Sequence, residues 1–132
     1  MNKMYKLKVE CDLNQEELVN ILSGATYGSD WLEIYATDEE RGKIKIDDND
    51  CREDVWAKIL LAGGTVQAVD HNDDEETEYP LTLTDFKEAF TILGQESTSA
   101  LMNIIEDEGM NADYYDYNNL LQCTMFKEIV YG

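Results

Sequence analysis

The sequence predicts a single α+β domain over residues 1–132, in which a small antiparallel sheet is packed by several helices. Three observations predict this class. A chain of 132 residues has the usual length of one domain. Hydrophobic residues make up 43% of it, enough to form one core. Strand patterns occur early and in the middle while helical patterns gather late, and this order favours α+β over a parallel α/β fold.

The first predicted element is a strand over residues 5–13, YKLKVECDL, because apolar and charged residues alternate along it. Asn14 and Glu17 then have the spacing of a capping box at the start of a helix. The apolar face of that helix is predicted to contain Leu18, Ile21, Leu22 and Ala25. WLEIYAT (31–37) and GKIKID (42–47) are predicted to be two short strands joined by an acidic turn, DEER.

The central third predicts a helix followed by a hairpin. Asp50 and Glu53 have a capping pattern before the helix in REDVWAKILLAG, and Gly63-Gly64 is predicted to end it. TVQAVD and TEYPLTL then predict a hairpin whose second strand is an edge strand or has Pro80 facing outward, because Pro80 cannot donate a hydrogen bond within a sheet. Thr84 is predicted to cap the next helix, DFKEAFTILG, which has one apolar face. That face contains Phe86, Ala89, Phe90 and Leu93.

Two further helices are predicted near the C-terminus. Ser97 or Thr98 starts a short helix, and a last helix runs to about Phe126. The short helix is predicted to be apolar at Leu101, Ile104 and Ile105. The last helix has a predicted buried stripe of Tyr114, Tyr117, Leu121 and Met125, with Tyr115 pointing elsewhere. Alternatively, the tyrosines anchor a partner. Trp31, Trp56 and Cys123 are expected in the core.

Charge is the most unusual property of this chain. It has 29 acidic and 10 basic residues, a net charge of −19. Phosphate groups repel such a surface, which argues against direct binding of nucleic acid or of an anionic membrane and permits a basic protein partner. Three widely spaced cysteines favour a reducing compartment. Because no signal-peptide pattern and no long apolar run are visible, we expect a cytoplasmic protein.

The most acidic stretch is DHNDDEETEYPL, residues 70–81. A calcium loop requires a glycine at its sharp turn and a final bidentate glutamate, and this stretch has neither. Two interpretations stay open: a solvated hairpin tip that opposes edge-to-edge aggregation, or an acidic patch that faces a partner. Other acidic groups at residues 47–54 and 106–108 make the excess general.

The sequence contains no pattern that indicates catalysis, and we predict no catalytic residue, metal site or cofactor. His71 is the only histidine, and the cysteines lack the spacing of a zinc site. A pair of His71 with Cys51 or Cys123 is conceivable, but no local signature accompanies it. Neither of the common phosphate-binding glycine motifs occurs.

Two segments carry a resemblance to a known family. Gly63-Gly64, the strand Val66–Asp70, the acidic turn and Tyr79–Leu83 form one pattern. The C-terminal pattern consists of Gln122, Phe126, Glu128, Ile129, Val130, Tyr131 and Gly132. Together they resemble small acidic proteins encoded by phages and integrated elements of Firmicutes, especially gut Clostridia. The resemblance covers residues 1–94 loosely and 112–132 more closely, while 95–111 match nothing in it. Lys127 departs from it, since that family has a glycine there.

The resemblance implies an origin in a phage or integrated element and a chain that folds as one unit. It implies no activity, because its motifs concern packing and turns. With the charge, it favours a non-enzymatic accessory protein of a phage or mobile element that binds a basic protein. One form is a DNA mimic that blocks host defence or another nucleic-acid-binding protein. The predicted contact residues are Asp47, Asp48, Asp50, Asp73, Asp74, Glu75, Glu76 and Tyr115. A homodimer is possible.

Three alternatives remain open from the sequence. A nucleotide-signal binder would need a basic pocket, for which Lys3, Lys6 and Lys8 with Lys43 and Lys45 are the only grouping. An enzyme would have to combine carboxylates with an added divalent metal. A domain with a purely structural role is the third.

Overall fold

The computed structural model describes residues 13–27, 29–105 and 112–131. Within these ranges it confirms the α+β class. The helices are α1 (Gln15–Thr26), α2 (Asp38–Arg41), α3 (Arg52–Leu61), α4 (Leu83–Glu96), α5 (Thr98–Ile105) and α6 (Tyr114–Phe126). The strands are β1 (Leu32–Tyr35), β2 (Val66–Asp70) and β3 (Glu78–Leu81). The strand predicted over 5–13 lies outside the described residues apart from its last residue.

The three strands form one antiparallel sheet in the order β1-β2-β3. The predicted hairpin is confirmed, and Pro80 lies on the edge strand β3 as predicted. The strand predicted over 42–47 is wrong, since β1 pairs with β2 instead. Residues 38–41 form α2 because Thr37 accepts a hydrogen bond from Glu40 N (3.2 Å) and caps this turn. Of the two isoleucines that alternate in 42–47, Ile44 packs partly buried against the core, whereas Ile46 is 41% exposed.

The core lies between the sheet and the helices, with α6 at its centre. Helix α6 packs against α1, α4 and α5, and its residues from Leu120 to Met125 are all buried. Gly24 allows α1 to approach closely, because a Cβ atom there would collide with the ring of Tyr117. The apolar faces predicted for α1 and α4 are confirmed, as is the burial of Trp31, Trp56 and Cys123.

Helix boundaries follow local hydrogen bonds. Gly63 ends α3 in the left-handed conformation with φ of 87°, as its predicted role as a helix stop requires. The predicted caps of α3 and α4 are displaced. Cys51, rather than Asp50, is the N-cap of α3, because the Asp50 carboxylate accepts from Asp47 N (2.8 Å). Thr82, rather than Thr84, caps α4 by accepting from Asp85 N (3.3 Å).

Ile105 and Tyr114 near the C-terminus are exposed, which contradicts the predicted place of Tyr114 in a buried stripe. Ile105 is 47% exposed at the end of α5, since the face that meets the core consists of Ala100, Leu101 and Ile104. Tyr114 is the first residue of α6 and lies on the surface, where its ring centroid is 4.2 Å from that of Tyr115. Of the other stripe residues, Leu121 and Met125 are buried as predicted, whereas Tyr117 is only partly buried against the core.

Lys127 follows α6 with φ of 63°, the left-handed conformation that favours glycine. Its ammonium also forms an exposed ion pair with Asp85 Oδ1 (3.0 Å). We predict that Lys127→Gly is more stable than Lys127→Ala by about 1 kcal/mol, because both lose the ion pair and only alanine keeps the steric cost. Urea unfolding of the two variants measures this difference. Equal stabilities would contradict a left-handed residue at this position.

Candidate acidic contact surface

The solvent face of the sheet carries carboxylates without lysine or arginine. Glu33 of β1 and Glu78 of β3 each pair in register with Val69 of β2, so their Cα atoms lie about 10 Å apart on either side of it. Tyr35 donates a hydrogen bond to Glu78 Oε1 (2.6 Å), which raises the pKa of Tyr35. No lysine or arginine occurs in the three strands or in the 71–77 turn. His71 is the only histidine in these segments.

The β2–β3 turn extends this face with exposed carboxylates at Asp74, Glu75 and Glu76. We call these three residues together with Glu33 and Glu78 the acidic surface. Asp73 has a different role, because its carboxylate accepts hydrogen bonds from the Thr77 hydroxyl and from Glu75 N. These bonds lower the pKa of Asp73 and stabilise the turn. Among the predicted contact residues in this turn, Asp73 therefore uses its carboxylate to stabilise the turn itself.

Asp70 begins the turn and is buried, so a wholly solvated hairpin tip is wrong at this position. It is 3% exposed, and its Oδ1 accepts a hydrogen bond from Asn72 N (3.0 Å). Its Oδ2 accepts from the hydroxyl of Tyr131 (2.7 Å). That bond to a carboxylate raises the pKa of Tyr131 to about 12. The C-terminal segment, residues 127–131, therefore holds the start of the acidic turn in place through the hydrogen bond from Tyr131 to Asp70.

Gln122 of α6 holds this C-terminal segment in place. It is 1% exposed, and its Oε1 accepts hydrogen bonds from Val130 N (2.8 Å) and Tyr131 N (2.7 Å). Its Nε2 donates to Tyr131 O (2.9 Å) and to Asn118 Oδ1 (3.0 Å). The ring of Tyr131 consequently packs 4.9 Å from that of Trp31. Sequence reasoning missed this support, although a glutamine within the apolar run LLQCTMF is a signal for a satisfied buried amide.

The second predicted acidic group gathers around a lysine. Lys58 Nζ donates to Asp50 Oδ2 (2.5 Å), Asp47 Oδ2 (3.1 Å) and Lys45 O (3.2 Å). The hydrogen bond from Lys58 lowers the pKa of Asp50. Asp48 is exposed beside them. Across the part of the chain that the structure describes, no hydrogen bond or ion pair joins this group to the 71–77 turn.

Tyr115 lies apart from the acidic surface. It is exposed in the first turn of α6, whereas Phe126 at the other end of α6 contacts Tyr79 of β3 with ring centroids 5.1 Å apart. At 1.5 Å per residue, Tyr115 lies about 16 Å along the helix from Phe126. The structure thus does not unite Tyr115 with the acidic residues predicted to act with it.

A cleft of about 290 Å³ borders the acidic surface between the edge strand β1 and the start of α3. Its walls comprise Thr26 at the end of α1, Ser29 after that helix, Leu32, Glu33 and Ile34 of β1, Arg52 and Trp56 of α3, and His71. Sequence reasoning missed this cleft, because no local pattern connects these four segments.

The chain was compared with models of protein families, with curated proteins and with solved structures, and none of these comparisons gives a match. The resemblance to phage-encoded proteins stays a prediction. Among the described residues, no three His, Cys, Asp or Glu side chains are placed to hold one metal ion. The helices in these ranges all lack the length or the apolarity required to cross a bilayer.

Replacement of Gln122 by alanine is predicted to destabilise the fold by about 2–3 kcal/mol, because it removes the three hydrogen bonds that this buried amide forms with the backbone of Val130 and Tyr131. Urea unfolding measures the loss. The matched control is Gln95→Ala, an exposed glutamine on α4 whose removal should cost less than about 0.5 kcal/mol. Similar losses in both variants would show that the Gln122 hydrogen bonds contribute little.

The raised pKa of Tyr131 predicts a loss of stability in alkaline solution. The folded state favours the neutral phenol, so this contribution is complete below pH 10 and disappears as the pH rises from 10 towards 12. The pKa of the buried Cys123 thiol is also raised to about 12, so the comparison requires a variant. Tyr131→Phe should show a shallower decline over this range in urea unfolding at several pH values. An unchanged slope would contradict the Tyr131–Asp70 hydrogen bond.

Proposed function

We propose that this chain is a non-enzymatic accessory protein of a phage or mobile element that binds a basic protein partner through the acidic surface. One observation carries the proposal: exposed carboxylates occupy the outer face of the sheet and its turn, while these segments contain no lysine or arginine. Elsewhere, carboxylates such as Asp50 and Asp85 form ion pairs with lysines. The acidic surface therefore has charge that a partner can neutralise.

The hydrogen bonds that hold the acidic turn in place favour binding of a partner. Tyr131 and Asp70 hold one end of the turn, and the hydrogen bond from Thr77 to Asp73 closes it. A surface that is already ordered loses less conformational entropy when a partner binds. This rigidity also suits a mimic of nucleic acid, in which negative charges must keep fixed positions relative to a basic groove.

The net charge of −19 supports the choice of a basic partner, because it accelerates encounters with positive proteins and repels acidic ones. A host-defence nuclease or another nucleic-acid-binding protein presents such a positive surface. The group around Asp47, Asp48 and Asp50 adds to the long-range field, although Lys58 offsets part of it. A homodimer remains a prediction beside this proposal.

The nucleotide-signal alternative has less support. Lys43 forms ion pairs with Glu39 and Glu40, and Lys45 lies near Asp47. These lysines are therefore already neutralised on an exposed segment. Lys3, Lys6 and Lys8 lie outside the described residues.

Binding is predicted to depend on the acidic turn and on ionic strength. The immobilised chain should retain a basic protein from bacterial lysate at low salt and release it as salt rises. The triple variant Asp74→Asn, Glu75→Gln, Glu76→Gln should bind the isolated partner at least about tenfold more weakly, measured by titration calorimetry.

The matched control removes three exposed carboxylates elsewhere, with Glu16→Gln, Glu96→Gln and Glu128→Gln. Both triple variants change the net charge equally, so only a local contact distinguishes them. If both triple variants bind the partner equally weakly, binding depends on net charge and not on a local contact at the acidic turn. If the chain retains no basic protein at low salt, the proposal fails.

A further inference from the structure

We propose that the cleft between β1 and α3 receives one basic side chain of the partner, a lysine or an arginine, which anchors the partner beside the acidic surface. This inference rests on the proposed function and names the chemical group that the surface recognises. Four features of the cleft support it: its size, its hydroxyl groups, the pair formed by Glu33 and His71, and the fixed position of Arg52.

The size of the cleft suits a single side chain. Its volume of about 290 Å³, at the lower end of the range for ligand sites, is enough to admit one long side chain. Buried apolar side chains, Leu32 and Ile34 of β1 and Trp56 of α3, form part of its wall. The aliphatic stem of a lysine or an arginine can lie against such a wall while its charged end remains at the polar rim. Pockets that hold one anchor side chain are typical of the centres of protein interfaces.

The hydroxyl groups of the cleft are acceptors. Thr26 Oγ1 donates its proton to Leu22 O (2.8 Å), and Ser29 Oγ donates to Ala25 O (2.6 Å). Ser29 Oγ also accepts a hydrogen bond from Asn118 Nδ2 (2.8 Å). Each hydroxyl has a single proton, so both can offer only lone pairs to a ligand. A donor-rich group such as an ammonium or a guanidinium matches these lone pairs.

Glu33 and His71 form a second pair of acceptors at the rim. His71 Nδ1 lies 3.2 Å from Glu76 Oε1, and a carboxylate can only accept, so the proton is assigned to Nδ1. In this tautomer Nε2 carries a lone pair, and it lies 3.8 Å from Glu33 Oε1. A nitrogen donor about 2.9 Å from both atoms fits between them. This geometry favours a cationic N–H group over an anion.

Arg52 does not turn the cleft into an anion site, because its charge is already compensated. Its Nε donates to Glu53 Oε1 (2.8 Å), and its guanidinium carbon lies 5.3 Å from the centroid of the Trp56 ring. These two contacts fix Arg52 against the wall. An anionic ligand would also have to approach Glu33 and the carboxylates of the neighbouring turn, which oppose it.

The test uses capped pentapeptides of glycine and serine with one central residue: arginine, lysine, the neutral arginine analogue citrulline, or aspartate. Nuclear magnetic resonance follows the indole N–H of Trp56 in the full chain during titration. We expect the arginine and lysine peptides to shift this signal and the citrulline peptide to leave it unchanged. If the aspartate peptide shifts it more than the basic peptides do, the cleft binds anions and the inference is overturned. The absence of any shift with basic peptides overturns it as well.

Glu33→Gln and Glu78→Gln provide the matched comparison. Both remove one exposed carboxylate from the same face of the sheet, but only Glu33 lines the cleft. We expect Glu33→Gln to weaken binding of the arginine peptide about tenfold and Glu78→Gln to weaken it less than about twofold. Equal effects would reject the cleft and leave the acidic surface as the contact. The lysate experiment tests that surface separately, so failure of the inference and failure of the proposed function remain distinguishable.

Discussion

The buried amide of Gln122 is the interaction on which the candidate site depends. An unpaired amide in the core would be costly, yet its oxygen and nitrogen both have partners in the backbone of the C-terminal segment. This pairing places Tyr131 over Trp31, where its hydroxyl reaches Asp70. One side chain in the central helix thereby determines the position of the turn that begins at Asp70, and that turn carries the exposed carboxylates.

The acidic surface can exist because the helices supply most of the core, so only one face of the sheet has to be apolar. Helices α1, α3, α4 and α6 bury most of the apolar side chains, and the inner face of the sheet adds Leu32, Ile34 and Val66. An antiparallel sheet needs only one buried face, and on the other face Glu33 and Glu78 are exposed. Carboxylates on that face and Pro80 on the edge strand also oppose edge-to-edge association with other strands. The same residues can therefore protect the fold and form a contact surface.

The distribution of cations separates two kinds of acidic group. Lys58 and Lys127 form ion pairs with Asp50 and Asp85 that stabilise local structure. The hydrogen bond from Lys58 lowers the pKa of Asp50. Burial opposes the shift at Asp85, but hydrogen bonds from Thr82 N and from Lys127 lower its pKa. The face formed by β1 and the β2–β3 hairpin has no lysine or arginine of its own. A cleft with acceptors along its rim lies directly beside that face. The acidic surface, the hydrogen-bonded turn and the cleft therefore lie in one region of the molecule.

Local patterns determined much of the fold. The buried face of α4, the stop at Gly63 and the hairpin with Pro80 on its edge all depend on neighbours within a few residues, so the sequence alone predicts them. Asp50 was predicted to cap α3, but Cys51 has this position, because the Asp50 side chain accepts a hydrogen bond from Asp47 N instead. The alternation in residues 42–47 did not become a strand, because a strand also requires a neighbour.

Only the tertiary structure decided how the candidate site is built. The Tyr131–Asp70 hydrogen bond joins residues 61 positions apart, and the cleft brings together side chains from four separate segments. No periodicity or spacing encodes such contacts, because they depend on how complete elements pack against one another. The sequence by itself determined that the surface would be strongly acidic and which helix faces would be buried. Packing decided which carboxylates stay unpaired and share one face.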